Sequence, residues 1–219
     1  MAGETYQVTD RRPIAARNLP FFQKLAVRMA KAGVSANAIS VSGAVAAIIG
    51  GGALGLTVYT TPLWTRVLWL LAALCAQLRL QANLLDGMVA IAGGKASAVG
   101  ELYNEVPDRI SDPALLIGLG YAIGGIPWLG WLAALLAVLT AYIRVLGKSA
   151  GAGSDFRGPM AKQQRMFVLT VACCFCALTP VTWQQWRPAA VAAVIIIIGS
   201  AWTAVRRLHH IAKTLRSRT

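Results

Sequence analysis

The sequence predicts an all-α, polytopic membrane protein with six transmembrane helices and an N-terminal amphipathic helix. Three observations lead there. Only 13% of the residues are charged and 57% are hydrophobic, whereas a soluble domain of this size has roughly a quarter of its residues charged. The mean hydropathy is +0.59. Apolar runs of about 20 residues, long enough to cross a hydrocarbon core as a helix, recur along the chain. A length of 219 residues then leaves room for one bundle.

Ahead of the first run, "LPFFQKLAVRMAKAGVS" sets Phe21, Phe22, Leu25, Val27 and Met29 among Lys24, Arg28 and Lys31. That mixture suits a helix lying in the headgroup layer, basic side toward anionic lipid. It suits equally a cytoplasmic helix packed on the bundle. The first 30 residues show no cleavable signal peptide, being polar or amphipathic. The six spans are placed at residues 37–59, 63–85, 106–126, 128–147, 166–182 and 189–206, the third weakened by the acidic residues and Pro107 in its first turns. The organisation is thus a cytoplasmic segment (1–36), a membrane domain (37–206) and a basic cytoplasmic tail (207–219). Gly50, Gly51, Gly52 and Gly55 in the first span permit close helix contact.

Lys and Arg are distributed unevenly between the spans. Arg11, Arg12, Arg17, Lys24, Arg28 and Lys31 precede the first span, while Arg66 and Arg187 stand alone in the first and fifth connections. The fourth connection holds Arg144, Lys148, Arg157, Lys162 and Arg165, and the tail is basic again. Short basic loops stay cytoplasmic, so both termini and the even-numbered connections are predicted to face the cytoplasm. The net charge of +13 comes from these scattered connections, not from one basic stripe with interleaved aromatics, which argues against a nucleic-acid partner.

The second connection is unlike the rest. "NLLDGMVAIAGGKASAVGELYNEVPDRISD", residues 83–112, carries five of the eight acidic residues: Asp86, Glu101, Glu105, Asp108 and Asp112. On a helix continuing from the second span, Asn83, Asp86, Gly87 and Ala90 share a face. On the next helix Glu101, Asn104, Glu105, Asp108 and Asp112 do the same. Two faces of oxygen ligands, joined by the glycine-containing turn "AGGKAS", are what a hard cation and substrate phosphates take. Intramembrane carboxylates are expensive and by default functional, although a solvated acidic loop has the same composition. Gly87, Ala90 and Gly100 leave room for a ligand close to the backbone.

Other signals are weaker. "GGKAS" lacks the strand and the spacing of a phosphate-binding P-loop. Cys173 and Cys176, spaced C-x-x-C inside "MFVLTVACCFCALTP", have no polar partners for redox or metal work and read as core packing. A small transporter would place its ionisable residues near mid-membrane, whereas these acids sit at an edge. Arg79, in "LCAQLRLQANLL", is a charge inside the second span, less than two turns before Asn83. It has three destinations: the acidic site, the inner surface by snorkelling, or a nearby acid.

The acidic stretch resembles the signature of the CDP-alcohol phosphotransferase family, D-x2-D-G-x2-A-R-x8-G-x3-D-x3-D. Here the spacing runs Asn83, Asp86, Gly87, Ala90, Ile91, Gly100, Asn104, Asp108 without a gap, and "GVSANAIS" is similar to the segment that opens the family's first span. The resemblance implies transfer of a phosphatidyl-type group from a CDP-linked lipid donor to an alcohol acceptor, with release of CMP. It implies Mg²⁺ or Mn²⁺ as cofactor, with Asp86, Asp108, Asn83 and Asn104 at the metal positions. Asp108 takes the place of the catalytic base, and Gly87, Ala90 and Gly100 face the nucleotide. Arg144, Lys162 and Arg165 suit an acceptor or headgroup phosphate, and serve equally as charges that set topology. A homodimer in a bacterial cytoplasmic membrane, with the site on the cytoplasmic side among membrane lipids, completes the expectation.

Three positions depart from the signature. Asn83 and Asn104 stand for aspartates and Ile91 for the arginine. An asparagine offers a carbonyl oxygen without charge, so the metal site loses two negative charges. Glu101, Glu105 and Asp112 are the candidate substitute carboxylates. The rival expectation is a catalytically silent member that binds lipid or nucleotide within a membrane assembly.

Overall fold

The structure, a computed structural model, describes residues 15–94 and 98–217. The side chains of Glu101 and Asn104 lie outside the described set, as do Arg11, Arg12 and Arg218. Among the described residues seven α-helices follow in order: α1 (Pro20–Lys31), α2 (Ala36–Leu56), α3 (Pro62–Ala92), α4 (Ala98–Tyr121), α5 (Pro127–Ser149), α6 (Lys162–Leu178) and α7 (Pro188–Arg216). No strand occurs among the described residues. α1, α3, α5 and α7 each begin on a proline, where the missing N–H costs nothing and φ is already helical.

Each of the six predicted apolar segments overlaps one of α2–α7. Among the described residues four segments are long and apolar enough to cross a membrane: Ala36–Tyr59, Pro62–Ala92, Pro127–Ser149 and Val181–Arg216. α6 is shorter, at 17 residues, and α4 carries the acids in its first turns. Pro107 does not end a helix as its type predicts. α4 runs through both Pro107 and Pro113, and its packing between α2 and α5 offsets the lost N–H bonds.

The bundle is held by small residues. Ala47, Ala72, Ala76, Ala133 and Ala193 sit in the core around Trp69, Leu115, Leu116, Leu119 and Ile196. In lipid, helices gain little from hydrophobic transfer and associate through close packing instead. That is clearest between α2 and α4, where a Cβ on Gly118 would fall 2.3 Å from the carbonyl oxygen of Gly51. Cys173 and Cys176 are free and buried in this core. α1 packs against α3 through a separate cluster of Ala26, Ile39, Ala82 and Val89.

Large apolar side chains also cover the outside, among them Leu70, Leu74, Leu135 and Ile198. A chain apolar inside and out suits lipid. Tyr59, Trp64, Trp128 and Trp186 are exposed near the end of α2 and the starts of α3, α5 and α7, which is one end of the bundle. Such aromatic rings favour the membrane–water interface. The opposite end gathers the C-terminal halves of α3, α5 and α7 with the N-terminal turns of α2, α4 and α6, and the polar residues lie there.

Candidate active site

At that polar end lies a cavity of about 790 Å³, within the range of small-molecule sites. Its wall includes Asn83, Asp86, Gly87 and Ala90 from α3, and Gly100, Glu105, Asp108 and Asp112 from α4. Arg144 from α5 and Lys162 and Arg165 from α6 complete it. The described members of the two faces thus line one cavity, with cations of the fourth connection beside them.

Asp86 is buried, 3% exposed. Its Oδ2 accepts from Ser40 Oγ of α2 at 2.6 Å, and its Oδ1 accepts the backbone N–H of Gly87 at 2.6 Å. Ser40 closes the "GVSANAIS" segment, but its bond crosses 46 residues and no local pattern announces it. Asn83 donates from Nδ2 to both oxygens of Asp108, at 2.9 and 3.3 Å. The opposite amide orientation would set its carbonyl against a carboxylate. Asn83 Oδ1 is left buried and without a hydrogen-bond partner.

Asp108 Oδ1 is the hub of an ion-pair network, receiving Arg79 Nη2 and Lys162 Nζ together with Asn83. Among the described residues Oδ2 has a single contact, at 3.3 Å from Asn83. Arg79, fully buried, also donates from Nε to Ser111 Oγ at 2.9 Å and from Nη1 to Ser40 O at 3.1 Å. Of its three destinations, the guanidinium thus takes the acidic site. Lys162 stands 3.5 Å from Asp112, and Arg165 Nη2 donates to Asp112 Oδ2 at 2.8 Å. Lys162 and Arg165 occupy the first turn of α6, where positive charge opposes the helix dipole. The α4 carboxylates offset that cost.

Of the candidate substitute carboxylates, Asp112 and Glu105 are already engaged. Asp112 holds Arg165 and Lys162. Glu105 receives Arg144 at 2.5 Å and also pairs with Arg109 one turn on. Arg165 is turned inward, its Nη1 donating to Met160 O at 3.1 Å and Thr140 Oγ1 at 3.3 Å. Arg144, by contrast, is 24% exposed and stacks 5.6 Å from the Phe156 ring centroid. Of these three cations, Arg144 and Lys162 keep some access to the cavity.

Among the described residues no group of three or more His, Cys, Asp or Glu side chains is assembled for a metal. The oxygens present nevertheless suit a divalent cation. Asn83 Oδ1 is an orphaned buried acceptor on the same α3 face as Asp86. Mg²⁺ needs only one or two carboxylates when substrate phosphates and water fill its other positions.

No model of a protein family matches the chain. Solved structures do. Phosphatidylinositol phosphate synthase of Mycobacterium tuberculosis with CDP-DAG bound superposes with a TM-score of 0.70 at 20% identity, covering 88% of this chain and 94% of that one. The same enzyme with manganese and citrate gives 0.69 at 21% identity, covering 87% and 88%. The chain shares the fold of this synthase. The chain is also 27% identical to the inner membrane protein YnbA of Escherichia coli over 143 residues, 64% of this chain and 69% of that one. A shorter match, 31% identical over 96 residues, links it to the archaetidylinositol phosphate synthase of Pyrococcus horikoshii, covering 43% of this chain and 50% of that one. Four helices long and apolar enough to cross a membrane among the described residues, with the likeness to an inner membrane protein, make the chain an integral membrane protein.

Proposed function

We propose that the chain is a transferase of phospholipid synthesis, moving a phosphatidyl-type group from a CDP-linked lipid to an alcohol acceptor with release of CMP. The observation that carries this reading is the cavity, where the spaced signature positions Asn83, Asp86 and Asp108 converge at one end of an apolar bundle. The fold it shares with a synthase crystallised with CDP-DAG supports the same donor class here. The reading includes six spans, with both termini and the cavity on the cytoplasmic side of a bacterial inner membrane, and a homodimeric assembly.

In this reaction the acceptor hydroxyl oxygen attacks the lipid-bearing phosphorus. A new P–O bond forms, the P–O bond to CMP breaks, and its electron pair leaves with CMP. Asp108 Oδ2, the less engaged oxygen of that carboxylate, takes the hydroxyl proton. Gly87, Ala90 and Gly100 admit the nucleotide close to the backbone, and Arg144 and Lys162 present positive charge to acceptor or headgroup phosphate. Asp86 and Asn83 Oδ1, with Asn104 at the remaining signature position, would hold Mg²⁺ or Mn²⁺. When bound, such an ion supplies charge stabilisation for the pyrophosphate and the departing CMP.

The test is release of CMP from CDP-diacylglycerol by purified protein in micelles, across a panel of alcohol acceptors. Release that needs Mg²⁺ or Mn²⁺ and stops with chelator is the expected result. No CMP with any acceptor sinks the reading. Ser40→Ala, which deletes the Oγ bond that fixes Asp86, is expected to raise the Mn²⁺ concentration needed for half-maximal rate by about 10–100-fold. An unchanged metal requirement would show that Ser40 does not orient a ligand.

One observation favours a second reading. Three cations already neutralise Asp108 and Asp112, which fits a silent member that binds lipid or nucleotide as a partner in a membrane assembly. Thermal stabilisation by CDP-lipid without metal dependence or turnover would select it, and metal-dependent catalysis would exclude it.

A further inference from the structure

Asn83 and Asn104 remove two negative charges from the signature positions, and the structure shows a cation beside that deficit. Arg79 lies one helical turn before Asn83, on the α3 face that continues through Asp86 and Ala90. Its guanidinium is 0% exposed and bound on three sides, by Ser111 Oγ, Ser40 O and Asp108. The backbone leaves room for it: a Cβ on Gly43 would stand 2.9 Å from Nη1 and 2.5 Å from Ala82 Cβ. A fully buried guanidinium costs several kcal/mol to desolvate unless its partners hold it. Such a side chain stays in place and does not swing out to solvent.

The geometry points to Arg79 as a resident cation that takes over the charge of one of two divalent ions, leaving this site to bind a single ion. The inference rests on the transferase reading, in which the signature positions hold metal. Charge balance supports it. Arg79, Lys162 and Arg165 pair with Asp108 and Asp112, and Asp86 stands beside them; the neighbouring Glu105 is already matched by Arg109 and Arg144 and adds no net negative charge. Three negative charges against three positive ones sum to zero before any ion enters. A second divalent ion would add repulsion at Asp108, whose Oδ1 already holds a guanidinium and an ammonium. One ion can use Asn83 Oδ1 and Asp86, which no described cation pairs by a salt bridge.

Counting Mn²⁺ on the full chain in lipid nanodiscs, by electron paramagnetic resonance of the free ion, tests this without activity. The wild type is expected to bind one Mn²⁺ per chain, and Arg79→Lys, which keeps the charge, is expected to do the same. Asn83→Asp alone should remain at one, because Arg79 still opposes a second ion. Arg79→Gln combined with Asn83→Asp should bind two. Thermal melting of each variant confirms that the counted protein is folded. Two ions on the wild type, none on it, or one ion on the folded double variant each overturn the proposal. CDP-diacylglycerol titrated in parallel isolates the underlying reading. If it neither shifts melting nor yields CMP, the transferase reading fails, whereas the ion count alone decides the role of Arg79.

Discussion

Asp108→Asn is expected to lower CMP release by about 10²–10⁴-fold, the range for loss of a general base, while CDP-diacylglycerol still stabilises the protein. The substitution keeps an oxygen that can accept from Arg79, Lys162 and Asn83, so the network stays hydrogen-bonded. What disappears is the negative charge that balances a fully buried guanidinium. Truncating one partner of a buried pair costs about 3–5 kcal/mol, and an asparagine that still accepts hydrogen bonds should cost less. The rate loss and the stability loss therefore have different sizes and causes, and both must be measured.

Asp112→Asn separates them. Asp112 is also buried and also holds two cations, Arg165 and Lys162, yet the proposed mechanism gives it no proton to take. Its variant should melt lower, as Asp108→Asn does, but retain CMP release within about tenfold, since only a positioning contact is lost. If the two variants lose rate in equal measure, Asp108 is one more member of an ion-pair network and its assignment as base is wrong.

The contrast between these aspartates marks how far the sequence was legible. Helix positions followed from apolar runs, and the grouping of Asn83, Asp86 and Asp108 followed from helical spacing. Both are local properties, and the structure places α2–α7 and the cavity wall accordingly. Partner choice is not local. Arg79 had three destinations open because which groups lie across from α3 depends on how α2 and α4 pack. Ser40 reaches Asp86 over 46 residues and Lys162 reaches Asp108 over 54, distances at which spacing carries no signal. The cations of the fourth connection were ambiguous for another reason: the charge that sets topology also pairs acids, and Arg165 does the latter. Pro107 weakened the third span on sequence grounds, yet α4 runs through it because its neighbours hold the helix.

The tight packing that fixes those partners yields a second large effect. Gly51→Ala is expected to abolish most of the folded protein, because its Cβ would fall 2.2 Å from the carbonyl oxygen of Ala114. The obstacle is backbone, which cannot rotate away as a side chain can, so α2 and α4 must part. Overpacking a core costs about 1–3 kcal/mol where side chains adjust, and more where they cannot. The damage should reach the cavity, because Arg79 bridges the same two helices by donating to Ser40 O on α2 and Asp108 on α4. Gly52→Ala is the matched control. It lies one residue along, with nothing within 4 Å of its Cβ, and alanine is the better helix former by about 1 kcal/mol. Its melting temperature should hold or rise, while Gly51→Ala should melt far lower or elute as aggregate on size exclusion. Equal melting of the two variants would mean that the α2–α4 contact does not set the spacing on which the Ser40–Arg79–Asp108 bridge depends.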